Sequence, residues 1–215
     1  MIVGERKPFD EIKESINKYK KALILGCGTC VSVCMAGGEK EVEILASQLR
    51  MASKSAGQDI ETSEATIQRQ CDREYVEPII EKAKEHEVIV SMACGAGVQT
   101  LAEVFSNKII IPANDTKFIG MQDRESGKFH ELCRACGECL LFETAGICPI
   151  TRCAKGLLNG PCGGSINGKC EIDKELDCIW DIIYQKLKKR GDLDRLKKIK
   201  EPKDWSKSTL SRRII

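Results

Sequence analysis

Apolar residues alternate between two spacings along the first half of the chain, and the alternation predicts its elements. Phe9, Ile12, Ile16 and Tyr19 recur at helical intervals across FDEIKESINKY, so a short amphipathic helix leads in. The run Ala22 to Leu25 reads as a buried strand that stops at Gly26-Cys27-Gly28. After Gly37-Gly38, EKEVEILASQLRMASK sets Val42, Leu45 and Leu49 on one face behind a Glu-rich first turn, the pattern of a helix N-terminus. A weaker strand at Ala65 to Gln68 runs out near Cys71. EYVEPIIEKAKEHE follows as a helix with Pro78 near its first turn, where proline is tolerated. Val88 to Met92 is a strand ending at Cys94-Gly95, Val98 to Phe105 a helix, and Lys108 to Ile111 a strand stopped by Pro112.

This β-α-β-α-β-α-β order predicts an α/β fold, a small Rossmann-like parallel sheet with helical crossovers. Parallel strands point their carboxyl ends to one edge, where open sheets place ligand sites. Three of the four strands end beside cysteine. The edge is therefore expected to gather Cys27, Cys30, Cys34, Cys71 and Cys94, although they lie up to 67 positions apart. Cys30 and Cys34, at i and i+4, share a face if their segment is helical.

From about Asp123 the pattern becomes turn-rich, with GICPITRC and LLNGPCGGSINGKC and few apolar side chains. So little apolar material predicts no hydrophobic core here, and a module that folds because metal holds it. A helix from Cys178 to Lys188 and a basic tail follow. The expected division is an α/β domain over 1–122, a Cys-rich metal module over 123–184 and a basic partner-docking tail over 185–215. The tail carries twelve Lys or Arg against four Asp or Glu, so an overall charge of +2 leaves the remainder at −6. Such a tail could contact nucleic acid, a membrane surface or an acidic partner protein, or be a solvated extension; Trp205 and the apolar end Ile214-Ile215 favour protein docking, because a purely solvated tail has no need of a large aromatic.

No segment approaches the roughly 18 apolar residues of a membrane span. MIVGERKPFDEIKE turns polar within four residues and holds no secretory h-region, so the cytoplasm is expected. In that reducing compartment metal binding, not disulfide pairing, is the default for thirteen cysteines. Eight lie between Cys133 and Cys178: Cys133, Cys136, Cys139, Cys148, Cys153, Cys162, Cys170 and Cys178. Cys133-x2-Cys136-x2-Cys139 followed by Cys148-Pro149 has the form of the bacterial ferredoxin run with its last gap stretched. In two-cluster ferredoxins the cysteine before proline serves the other cluster, so Cys148 has two possible assignments, and the last four cysteines remain to be divided. Four thiolates also suit zinc, and spacing alone does not separate the metals, although steps of three residues are less typical of zinc than paired knuckles.

The two histidines add little: His130 precedes Cys133 by three residues, and His86 stands near a helix end, favourable for the dipole. There is no G-x-S-x-G, no HExxH and no complete dinucleotide fingerprint. No catalytic residue of its own is expected in this chain; the thiols point to electron transfer.

GCGTCVSVCMAGGEKEVEILA, RQCDREYVEP, SMACGAGVQT and the run from Cys133 to Glu171, with CPITRCAKGLLNGPCGG its most specific part, carry a resemblance. Over about residues 20–185 the chain resembles the small iron-sulfur subunit, MetV type, of methylenetetrahydrofolate reductases of acetogenic bacteria, and the domain described as that reductase's C-terminal region. The resemblance implies a non-catalytic electron-transfer subunit of an oxidoreductase of one-carbon metabolism, with two or three [4Fe-4S] clusters, zinc replacing one C-terminal site as the alternative. It implies a partner subunit, a flavin-binding barrel that reduces methylenetetrahydrofolate, and an electron donor such as ferredoxin or an NADH-linked subunit. Such a barrel takes about 250 residues and cannot be this chain. For the N-terminal cluster the favoured ligands are Cys30, Cys34 and Cys94, with Cys27 or Cys71 as the fourth.

Overall fold

The structure, a computed structural model, describes residues 1–209, and its contacts divide the chain into two units, Met1–Phe118 and a second beginning at Ile119. Ile214-Ile215, invoked above for docking, lies outside the described residues.

The first unit runs β1 (Ile2–Arg6), α1 (Phe9–Ile16), β2 (Lys21–Cys27), α2 (Cys30–Val33), α3 (Glu39–Ser55), β3 (Glu61–Ile67), α4 (Arg73–Val76), α5 (Ile80–Lys84), β4 (Val88–Ser91), α6 (Gly95–Val104) and β5 (Ile109–Pro112). Four strands form one parallel sheet in the order β3-β2-β4-β5, with Leu25 in register with Ala65 on one side and Ser91 on the other. The parallel α/β sheet read from the sequence is thus present. β2 is buried from Ala22 through Cys27, as a central strand covered on both faces must be. Ile12, Ile16, Leu45 and Leu49 of α1 and α3 pack with Ile24 and Val90 on one face. Val76, Ile79 and Leu101 pack with Leu23, Leu25 and Ile89 on the other. Each such aliphatic side chain contributes about 1.5–3 kcal/mol on burial.

After β3 the chain crosses back over β2 to lay down β4, so strand order reverses between β2 and β4. Ligand sites of open sheets sit at the carboxyl ends of such a switch point. Here those ends carry Cys27 and Cys94.

Three local expectations are corrected. Residues 74–87 do not form one helix: α4 and α5 are separated by a 3₁₀ turn over Glu77–Ile79, because Pro78 has no N–H with which to continue the ladder. β3 begins at Glu61, earlier than its apolar residues suggest, since pairing with β2 rather than side-chain burial sets its start. β1 is an unanticipated strand, anchored where the Lys7 amide donates to the Ala113 carbonyl oxygen at 2.9 Å.

β6 (Asn114–Gln122) runs across the division of the units. In the second unit its end pairs antiparallel with β7 (Phe129–Cys133), setting Met121 opposite His130, and α7 (Pro149–Arg152), α8 (Ile179–Arg190) and α9 (Ser206–Thr209) follow. This unit has a small apolar core, contrary to expectation: Ala145, Ile147, Ile179, Trp180, Ile183 and Leu187 are buried together, with Leu193 and Leu196 packed against them. Composition concealed it because one helix face supplies most of it. α8 continues through Gln185 and ends at Gly191, whose φ of +74° is the left-handed cap glycine favours. The charges beyond are largely spent within the unit: Lys200 pairs with Glu143 at 2.6 Å, Lys207 with Glu138 at 2.9 Å, and the Arg195 guanidinium stacks over Phe142 at 4.1 Å.

Candidate metal centres

At the sheet edge of the first unit, Cys27 closes β2. Its amide donates to the Gly37 carbonyl oxygen at 2.8 Å, which folds the segment bearing Cys30 and Cys34 back against the strand end. Gly37 fits because a side chain there would collide with the backbone of Met92. The Cys27 thiol is buried, 3.6 Å from the Thr29 hydroxyl, and packs with Val31, Ala93 and Cys94. Cys30 and Cys34 flank the single turn of α2. The Cys34 thiol donates to the Ile2 carbonyl oxygen at 3.7 Å; burial pushes it up from its ordinary value, with Cys30 adding to the rise and the Gly4 backbone opposing it. Burial likewise raises Cys71, with Cys94 and then Cys27 adding to that rise.

One side chain that the sequence reading passed over ties those segments together. Gln70, fully buried, donates to the Leu25 carbonyl oxygen at 2.8 Å and accepts from the Ser91 hydroxyl at 2.6 Å. It thereby pegs the residue before Cys71 to the ends of both β2 and β4. Its only signal in the sequence is a polar residue immediately before a candidate ligand.

In the second unit the eight cysteines fall into two groups of four. Cys133, Cys136, Cys139 and Cys148 line one cavity of about 260 Å³. Cys153, Cys162, Cys170 and Cys178 line another of about 190 Å³. Cys148 thus stands with the three cysteines that precede it. The first group is brought round by Ala135 and Gly137, with φ of +51° and +79°, which turn the C-x2-C-x2-C loop inward. The Ala135 amide donates to the Cys133 sulfur at 3.3 Å. Lys207 and Lys203 clasp Glu138 of the same loop, and their charges hold its carboxyl below the ordinary value. At the second group the Cys162 thiol donates to the Glu171 carboxylate at 3.4 Å, and Lys155 forms an ion pair with that carboxylate. Lys155 lies foremost among the causes that lower Glu171, with Cys162 next. Neither residue stood out in the sequence, because nothing in the spacing distinguishes them from other surface charges.

All thirteen cysteines are free thiols. Among the described residues, no three His, Cys, Asp or Glu side chains converge as ligands of a single ion. One tetrahedral zinc needs all its thiolates within about 2.3 Å of a point. A polynuclear core stands between its thiolates and spaces them apart. Each cavity presents four soft thiol donors, a set that suits a zinc ion or an iron-sulfur cluster alike. His130 faces Met121 across the β6–β7 ladder, and His86 is buried with Nδ1 2.8 Å from the Lys82 carbonyl oxygen, where α5 ends.

A parallel α/β unit with thiols at its switch point, and a second unit with two four-cysteine cavities, define a thiol-rich protein. Residues 111–206, which include all eight of the clustered cysteines, match the family model described as methylene-tetrahydrofolate reductase C terminal. The match relates this chain to an oxidoreductase of folate chemistry. Comparison with curated proteins and with solved structures gave no match. No helix among the described residues is long and apolar enough to cross a membrane.

Proposed function

We propose that this chain is the electron-relaying subunit of a methylenetetrahydrofolate reductase, of the small iron-sulfur (MetV) type, and has no catalytic site of its own. The observation that carries the reading is the partition of eight cysteines into two cavities of four, within the span that matches the reductase family. Cys133, Cys136, Cys139 and Cys148 would hold one [4Fe-4S] cluster and Cys153, Cys162, Cys170 and Cys178 a second. A third would draw four ligands from Cys27, Cys30, Cys34, Cys71 and Cys94. Such clusters, when bound, carry single electrons at potentials set by charge, hydrogen bonds to sulfur and exposure.

The chain's own residues supply those controls. Ala135 offers its amide to the Cys133 sulfur, a contact that favours the more negative state. Gln70 holds the thiol-bearing strand ends in place. Metal bound in the two cavities would add its binding energy to the small core around Trp180, completing a module that apolar burial alone leaves thin. Electrons from a donor such as ferredoxin or an NADH-linked subunit would pass through this chain to the flavin of a barrel partner, where the folate is reduced. Cytoplasmic residence suits thirteen free thiols.

The test is rapid mixing of the anaerobically reduced chain with a flavin-loaded methylenetetrahydrofolate reductase barrel. Bleaching of the flavin as this chain reoxidises supports the relay. A flavin that stays oxidised, with zinc as the sole metal in the chain, favours the alternative of a zinc-stabilised binding module.

A further inference from the structure

We propose that Lys155 and Glu171 form a charge pair that sets the reduction potential of the centre held by Cys153, Cys162, Cys170 and Cys178, with Glu171 lowering it and Lys155 raising it. The inference rests on the reading of that cavity as a cluster site and adds to it the residues that tune the site. Both side chains line the cavity. Glu171 Oε2 accepts from the Cys162 thiol at 3.4 Å, and the same oxygen pairs with Lys155. Gly164 makes room for it, since a side chain at that position would occupy the space of the carboxylate. Lys155, two positions after Cys153, lines the same cavity as the four thiols and is held there by its ion pair with Glu171. Asp177 also lines the cavity but is engaged by Lys169 at 2.8 Å. Among the described residues, no carboxylate of the other cavity meets a thiol: its Glu138 is held by Lys207 at 2.9 Å, and its Arg134 is paired with Glu131 at 2.9 Å.

One-electron reduction adds one negative charge to the cavity. A ligating Cys162 would have given up the proton it now donates to Glu171, so the neighbouring carboxylate would oppose the added charge, and the ammonium beside it would favour it. The two halves of one ion pair therefore have opposite effects. A merely structural role would move the potential in one direction whichever partner is removed.

The experiment is a potentiometric titration of the anaerobic full chain, followed by electron paramagnetic resonance, with iron and sulfide assayed on each sample. Glu171→Gln is expected to raise the midpoint of one centre, Lys155→Met to lower the same one, and Lys155→Arg to leave it in place, while every other centre keeps its midpoint. The double variant should return close to the wild-type value. Midpoints that do not move, or that move the same way in both single variants, in protein with its full iron and sulfide, overturn the proposal alone. Wild-type protein that takes up no iron and sulfide overturns the cluster reading and the proposal with it. Glu171→Gln is an exposed substitution, so its upward shift is required even if Lys155→Met fails to fold.

Discussion

The buried Gln70 side chain accepts a hydrogen bond from the Ser91 hydroxyl at 2.6 Å, joining the segment that carries Cys71 to the strand that leads to Cys94. Because Gln70 also donates to Leu25, two positions before Cys27, one amide positions three thiol-bearing segments. Gln70→Leu leaves the Leu25 carbonyl and the Ser91 hydroxyl without this partner in a buried setting, which costs about 1–3 kcal/mol. Urea unfolding should show that loss, and the variant should also lose iron from the first unit more readily than wild type. A stability unchanged within error would remove Gln70 from the account.

The two cavities of the second unit are expected to behave independently. Cys136→Ser and Cys148→Ser should each abolish the same paramagnetic signal, and Cys162→Ser a different one, because these residues line separate cavities. If Cys148→Ser instead abolished the signal lost in Cys162→Ser, the ferredoxin-like crossing of that ligand would hold and the grouping drawn above would not.

Gly160 lies against the indole of Trp180, whose Nε1 donates to the Leu157 carbonyl oxygen at 3.1 Å. A methyl at position 160 would stand on the ring. Gly160→Ala is expected to destabilise the second unit by about 1–3 kcal/mol through overpacking. Gly163→Ala is the control, since a side chain there meets no atom within 4 Å. Thermal unfolding that ranks the two variants equally would contradict this packing.

Acid should loosen the second unit in a way that Glu143 reports. Lys200, hydrogen-bonded to it at 2.6 Å, is the leading cause that holds the Glu143 carboxyl below its ordinary value of 4.5. A carboxyl depressed in the folded state contributes stability above its unfolded value and loses that contribution as pH falls through the folded one. Half-exposed pairs of this kind are worth up to about 1 kcal/mol. Glu143→Gln should therefore be slightly less stable at neutral pH and converge on wild type as the pH falls below the ordinary value of 4.5. Unfolding curves that remain parallel across that range would show the pair to be inert.

The parallel sheet was legible because its strands are short apolar runs and its crossovers carry apolar residues at helical intervals, as in Leu23–Leu25 and Val42–Leu45–Leu49. β1 was not, because Ile2-Val3-Gly4-Glu5-Arg6 is too short and too polar at its end to show a period, and only its pairing makes it a strand. Proline at 78 was read as tolerated at a helix start, whereas it stands where the helix breaks. The thiols themselves were evident from spacing. Their division was not: Cys148 and Cys153 are five positions apart yet line different cavities, because α7 begins immediately after Cys148 and turns the chain between them. Lys155 and Glu171, sixteen positions apart, meet only through the folded loop between them.

The most direct measurement is metal and acid-labile sulfide analysis of the anaerobically purified chain, joined to electron paramagnetic resonance after reduction. The account predicts iron and sulfide in equal amounts and more than one reduced cluster signal. Zinc without sulfide, and a reduced sample with no signal, would contradict it.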